Sequence, residues 1–415
     1  MRMFDVYSVH DVSIVTGRGS WVFDAHGTKY LDMYGGHAVI SIGHGNPDYV
    51  EAVTEQLSQL GFYSNSVVIS QQAELAATLG RVSGLDSAGA RNGGCMAEAG
   101  SGKAPAGGSE AGSEGGMAAD GGREWQLFLC NSGAEANENA LKLASFHTGR
   151  RRVISVGGAF HGRTSLAVAA TDNPNIVAPI NESNNVIFTP FNDVAALEQA
   201  FLQARGEVAA VIVEAIQGVA GIMVEGGEFL RAVRRLCDEH GAVYIADEIQ
   251  CGCGRTGRYF ATDWADIQAD IYTMAKGIGN GFPMGALAIA PHIAPRKGML
   301  GTTFGGNQLA CVAATAVARV IERNGLMQNA LTIGEYMMTE LRKVQGINDV
   351  RGRGLIIGCE LEPGHEGVAR RLLFDEKVFV GTAVGGRVIR LLPALNVTRD
   401  EAEMAVEAIR RVLNA

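Results

Sequence analysis

Apolar residues in this chain fall into short runs separated by amphipathic stretches, and the alternation of the two sets the fold class. Ala242 to Ala246 and Ile271 to Ala275 are continuous apolar runs, the pattern of strands buried on both faces. The first stops at Asp247-Glu248-Ile249-Gln250; the second stops at Lys276 and a glycine-rich turn. Upstream, strands are predicted at Gln126 to Cys130, Arg152 to Val156 and Ala209 to Val213, and downstream at Gly285 to Ala290. Between them NSGAEANENALKLASFH and Phe229 to His240 carry helical spacing. Strands alternating with helices over this span predict an α/β fold with a mostly parallel sheet covered by helices.

The flanks read differently. Residues 17–32 predict a hairpin, with Trp21, Phe23, Tyr30 and Leu31 flanking a turn at Ala25-His26-Gly27-Thr28. A glycine-rich loop, MYGGHAVISIGHGNP, leads to a helix with apolar positions Val50, Val53, Leu57 and Leu60, and a second helix covers Gln71 to Val82. His37 and His44 in that loop read as structural. From Pro291 onward, helices near Leu309–Arg323 and Ile333–Val344, strands at Leu355–Leu361 and Val388–Leu391 and a last helix predict a smaller α+β unit. The expected organisation is therefore an N-terminal segment (1–48) packing with a C-terminal small domain (291–415), around a large domain (49–290). Residues 87–122, dominated by Gly, Ala, Ser and Glu, lack any apolar period and read as a flexible surface insertion.

Composition narrows the function classes. A 415-residue chain that is 47% hydrophobic can bury a large core. A net charge of −9 argues against nucleic acid as the main partner. No apolar run approaches the ~20 residues that span a membrane, and the start, MRMFDVYSVHDVS, lacks an apolar signal core, so cytoplasmic residence is expected. The seven cysteines show no zinc-ligand spacing, and no metal site is expected.

Three features carry candidate chemistry. Ser132-Gly133-Ala134 sits where a strand turns into a helix, which makes either an anion site or an ordinary N-cap. Lys276 is either a desolvated nucleophile or a solvated strand-end lysine. Asp247 fits a metal ligand, a hydrolase acid, a cofactor partner or a solvated acid. Alternation along the strand sends Asp247 and Glu248 to opposite faces, so they do not form a paired acid–base site. Gly277-x-Gly279-x-Gly281 superficially suggests a dinucleotide turn, but Phe282-Pro283 stands where the helix should begin.

The motifs SGAEANENALKLA, FHGRTSLA, VEAIQG, ADEIQCGCGRTG, AKGIGNGFPMGA, GTTFGGNQLA and VIRLLPALNVT occur in that order. Together they resemble the class III, or ω-amino acid, aminotransferases of fold type I, most closely those acting on acetylornithine or succinylornithine. The resemblance implies pyridoxal 5′-phosphate as cofactor, carried by Lys276, which also moves the proton in catalysis. It implies that Asp247 pairs with the pyridine nitrogen, that Gln250 bonds the ring hydroxyl and that Phe160 stacks on the ring. Ser132, Gly133 and Ala134 would hold the phosphate. Thr303 would reach the cofactor of a neighbouring subunit, which implies a homodimer with shared sites, and Thr302 would touch substrate. Arg163 and Arg390 would take substrate carboxylates, with Glu214 masking Arg390 while the first substrate reacts.

The implied reaction moves the terminal amino group of an N-acyl-ornithine to 2-oxoglutarate, in arginine biosynthesis. Gly36 falls about where enzymes acting on free ornithine tend to carry a tyrosine, which leaves room for an acyl group. Ala215, Val219-Ala220 and Gln308 depart from the family pattern without removing a chemical group. The alternatives are another ω-amine (ornithine, 4-aminobutyrate or a carrier-linked lysine), an intramolecular aminomutase, or a pyridoxal-binding regulator without catalysis.

Overall fold

A computed structural model describes residues 1–86, 124–365 and 367–414. The stretch read as a surface insertion, 87–122, lies outside them. At the centre is a seven-stranded sheet in the spatial order Gln126–Cys130, Gly285–Ile289, Ile271–Met274, Val243–Asp247, Val208–Val213, Arg152–Val156, Val186–Thr189. Gly285–Ile289 runs antiparallel to both neighbours, whereas the pairings from Ile271–Met274 across to Val186–Thr189 are all parallel. The exception has a simple cause. The chain between Met274 and Gly285 is too short for a helical crossover, so the next strand has to return antiparallel.

The inner strands are buried along their whole length, which is why they read as unbroken apolar runs. Helices cover both faces. Gly227–His240 turns Phe229, Val233, Leu236 and Cys237 into the core, the i, i+4, i+7, i+8 spacing of one helical face. Each such side chain contributes ~1.5–3 kcal/mol by leaving water.

Two smaller sheets flank this core. The N-terminal strands Ile14–Arg18, Trp21–Asp24 and Lys29–Asp32 form an antiparallel meander, and Val378–Phe379 joins it parallel to the third strand, pairing Val378 with Leu31. The other sheet runs Ile347–Arg353, Ile356–Leu361, Val388–Leu391, Gly381–Ala383. The helix expected near 333–344 begins earlier, at Leu326, and ends at Leu341. The first turn of that helix carries Leu326 and Met327, but Gly325 before it obscures its start.

A buried cation ties the loop after Val243–Asp247 to residues beside the C-terminal strands. Arg255 is 2% exposed, and its Nη1 donates to the carbonyls of Leu355 (2.9 Å) and Pro393 (2.8 Å). Burial pulls its pKa down to about 10. Removing the guanidinium strands two buried carbonyls, so Arg255→Met is expected to destabilise the protein by ~2–4 kcal/mol, measured by urea denaturation. A loss below the error of that measurement would show that water replaces the arginine freely.

Candidate active site

The C-terminal ends of the parallel strands deliver their following residues to one edge of the sheet, the usual place for a site in an open α/β fold. Asp247 is the last residue of its strand and is 3% exposed. Its Oδ2 accepts hydrogen bonds from Asn137 Nδ2 (2.7 Å) and His161 Nδ1 (2.7 Å), and its Oδ1 accepts from the Ile249 N–H (3.1 Å). Asn137 is itself saturated: Nδ2 also donates to the His161 carbonyl, and Oδ1 accepts from Thr273 Oγ1. Glu248 points the other way. Its carboxylate accepts from the Ala261 and Thr262 N–H groups and from Thr262 Oγ1, in a fully buried nest. The strand alternation read from sequence thus separates the two acids.

Lys276 opens a single turn of 3₁₀ helix and sits at φ 47°, a left-handed conformation unusual for a residue with a Cβ. Burial lowers its pKa; Asp247 and Glu214 oppose that shift, and Arg390 adds to it. Its amine therefore gives up its proton more readily than a surface lysine does.

Lys276 and Asp247 line one cavity of about 430 Å³ together with Ser132, Gly133, Ala134, Phe160, Arg163, Glu214 and Gln250. The Gly133–Thr148 helix begins here. Ser132 caps it, accepting from the Glu135 N–H at 3.2 Å, while Glu135 accepts from the Asn131 N–H at 2.6 Å. The two readings of this turn are compatible, because the hydroxyl caps the helix while its first N–H groups have no intrahelical partner and face an anion position. A side chain at position 133 would fall 2.9 Å from Ile249 Cγ2, so only glycine lets the backbone come this close.

These donors fit pyridoxal phosphate: amide donors for a phosphate, a buried carboxylate, a lysine amine and an aromatic face around one cavity. Gln250 adds a specific sign. Its Nε2 donates to the His37 carbonyl (3.2 Å), but its buried Oε1 has no protein partner, as an acceptor awaiting a hydroxyl would.

The arginines differ in setting. Arg163 is exposed, lines the cavity and, among the described residues, forms no ion pair. Arg390 is 6% exposed, does not line the cavity, and donates from Nη1 to the Gly218 carbonyl (3.1 Å) and from Nη2 to the Tyr34 hydroxyl (3.3 Å). Glu214 is not ion-paired with it. Its carboxylate accepts from the N–H groups of Phe160 (2.9 Å) and Gly218 (3.3 Å), so Gly218 bridges the two residues through its own peptide groups. Thr302 and Thr303 lie outside this cavity: Thr303 is exposed, and Thr302 Oγ1 accepts from Asn131 Nδ2 and the Gly305 N–H. Sequence reasoning passed over His161 and Asn137 as site residues. A buried asparagine on the apolar face of the Gly133–Thr148 helix was the available signal. It also passed over Tyr34 and read His37 as structural.

Two carboxyls here resist ionisation. Burial raises Glu214 to about 7, with Asp247 adding to the rise; His161 and the two amide hydrogen bonds oppose it. Glu225, 4% exposed, is raised to about 8 by burial and then by Glu214, with the Asn192 backbone N–H opposing the rise. Below Glu225's ordinary value of 4.5 the carboxyl is neutral in both folded and unfolded states and costs nothing. Between 4.5 and about 8 only the folded state holds the proton, so stability falls as pH rises and levels off above about 8. Glu225→Gln removes that slope. The stability difference between variant and wild type should grow by roughly 2–3 kcal/mol from about pH 6 to about pH 8.5, read from thermal or urea unfolding. A pH-independent difference would contradict the burial of an ionisable carboxyl there.

Residues 5–111 and 116–413 match the family model for class-III aminotransferases. The chain is 38% identical to an acetylornithine aminotransferase of Corynebacterium efficiens, over 99% of this chain and 94% of the relative. It is 37% identical to one of Archaeoglobus fulgidus, over 98% and 96%. Among solved structures, the ornithine aminotransferase of Toxoplasma gondii superposes with a TM-score of 0.84 at 26% identity, covering 99% of this chain and 92% of that one. An N-acetylornithine aminotransferase of Stenotrophomonas maltophilia superposes with a TM-score of 0.76 at 30% identity, covering 98% and 96%. The chain belongs to the class-III aminotransferases, as a fold type I transaminase dependent on pyridoxal phosphate.

Proposed function

We propose that this transaminase moves the terminal amino group of an N-acyl-ornithine, acetyl or succinyl, to 2-oxoglutarate, giving the semialdehyde and glutamate in arginine biosynthesis. The observation that carries this reading is a pair of arginines in contrasting settings around one lysine. Arg163 at the cavity suits a carboxylate several carbons from the reacting amine, which is where the α-carboxylate of an ornithine derivative lies. Arg390, buried behind Gly218, suits the α-carboxylate of glutamate, whose side-chain carboxylate then takes Arg163. Relatives named acetylornithine aminotransferase support the donor class. So does Gly36: no atom lies within 4 Å of where a Cβ would stand, and its φ of 55° disfavours any side chain.

When bound, pyridoxal phosphate supplies the electron sink for charge developing on the carbon that bears the amine. Ser132, Gly133 and Ala134 would hold its phosphate, Phe160 its ring face, Gln250 its hydroxyl and Asp247 its ring nitrogen. Lys276 Nζ, its pKa lowered by burial, takes the proton from the amine-bearing carbon of the donor and returns one on the acceptor side. Asn137 and His161 orient the Asp247 carboxylate. We assign the working form as a cytoplasmic homodimer, in which Thr303 reaches the cofactor of the other subunit and Thr302 touches substrate there. The chain divides into a large domain at 49–290 and a small one formed by 1–48 and 291–415.

Half-reactions test the donor. Acetylornithine or succinylornithine should bleach the yellow cofactor absorbance at least ~10-fold faster than ornithine or 4-aminobutyrate at equal concentration. Faster bleaching by ornithine overturns the acyl assignment. A yellow protein that ignores every ω-amine overturns catalysis. Arg390→Ala should slow the glutamate half-reaction on the order of 100-fold and the ω-amine half-reaction far less. Equal losses in single-turnover spectroscopy would sink the division of labour between the arginines.

A further inference from the structure

Arg390 is flanked across its sheet by two glycines. Gly358 on one neighbouring strand and Gly381 on the other stand directly opposite it. Each vacancy is filled by a group that reaches the arginine. At Gly358 a Cβ would meet the Gly221 carbonyl and Ile222 at 2.9 Å, so the loop carrying Gly218 packs there. At Gly381 a Cβ would fall 2.1 Å from Tyr34 Cε2, so the tyrosine ring occupies that space. The Arg390 guanidinium carbon is 5.8 Å from the ring centroid.

Nη1 is anchored to the Gly218 carbonyl, while Nε is buried without a partner among the described residues and Nη2 donates to the Tyr34 hydroxyl. The Nε–Nη2 edge is one of those on which a guanidinium takes a carboxylate with two parallel bonds. Here half of that edge is open and half is held by a neutral oxygen. The tyrosine hydroxyl is also hydrogen-bonded to His37 Nδ1. Burial lowers the His37 pKa, and Arg390 and Lys276 push it the same way, which favours the neutral ring; in the tautomer with its proton on Nε2, Nδ1 accepts the phenolic proton. Burial raises Tyr34, with Arg390 opposing and Asp32 adding, so the phenol keeps that proton. The oxygen's lone pairs are left for Nη2.

We propose that Tyr34, seated over Gly381 and bonded to His37, is the resting partner of Arg390: it holds the Nε–Nη2 edge between half-reactions and yields it to the α-carboxylate of the dicarboxylate acceptor. This rests on the acceptor assignment above. It differs from a masking carboxylate in the partner named: Glu214 accepts from two backbone N–H groups and, among the described residues, forms no ion pair with Arg390. The phenol carries no charge opposing that of the guanidinium, so Arg390 is held by hydrogen bonds and not by an ion pair. Tyr34 is a positioning residue and touches no reacting atom.

Binding of 2-oxoglutarate to the yellow form of the holoenzyme, which it cannot transaminate, tests this by titration calorimetry without any amine donor. Tyr34→Phe keeps the ring over Gly381 and removes only the competing hydroxyl. The variant should bind 2-oxoglutarate roughly three- to tenfold more tightly than wild type, the worth of one ordinary hydrogen bond. His37→Ala, which leaves the ring in place but removes the acceptor of its proton, should shift the same Kd in the same direction by less. Equal or weaker binding by Tyr34→Phe, with wild type binding normally, overturns the Tyr34 assignment alone. An amine form, made by prior reaction with the donor, that 2-oxoglutarate does not return to yellow overturns the acceptor reading with it.

Discussion

A carboxylate buried at the end of a sheet strand is costly unless its oxygens are hydrogen-bonded, and the site depends on how Asp247 meets that requirement. Its three donors come from separate parts of the chain: Asn137 from the Gly133–Thr148 helix, His161 from the loop after Arg152–Val156, and the Ile249 N–H from its own turn. Asn137 is held in turn by Thr273 on the adjacent strand, three residues before Lys276. The clasp therefore fixes the helix whose N-terminus would hold the phosphate, the loop that bears Phe160, and the strand that leads to the lysine. Each element that would meet the cofactor is positioned through contacts to one acid.

The same economy governs the substrate side. Gly218 has no room for a side chain, since a Cβ would lie 1.6 Å from Gln250 Oε1. Its N–H serves Glu214 and its carbonyl serves Arg390, so the backbone of one residue links the acid to the arginine. On the proposed assignment, a guanidinium held by a carbonyl and a phenol, with no ion pair among the described residues, keeps its charge for a substrate that carries two carboxylates. Arg163 needs no such arrangement, because water solvates it at the cavity.

How much of this was legible in the sequence depended on the range of the interaction. Strands such as Val208–Val213 and Val243–Asp247 were plain because both faces are buried, and the acids and lysine that end them mark the sheet edge. Val186–Thr189 and the helix Val194–Gln203 were passed over. The strand is a short, partly exposed edge, and the helix is announced mainly by its Asp193 cap. Lys276, Asp247 and the Ser132–Ala134 turn were legible because each follows a strand. His161 and Asn137 were not, because their partner lies 86 and 110 positions away, and only the asparagine on an apolar helix face leaves a local trace. Gly36 stands out in the sequence by a missing side chain, whereas nothing local marks Tyr34 two residues earlier. Its reach to Arg390 depends on a cross-strand glycine at 381, which only the register of the sheet reveals.

The central claim is that Asp247, clasped by Asn137 and His161, is the acid on which transamination depends. The most direct measurement is single-turnover absorbance of Asp247→Asn with acetylornithine, after confirming that the variant folds and retains its yellow cofactor. The amide preserves shape but cannot carry the negative charge, so the half-reaction should slow by at least ~100-fold while the cofactor stays bound. A variant that binds the cofactor and bleaches at nearly the wild-type rate would contradict the account.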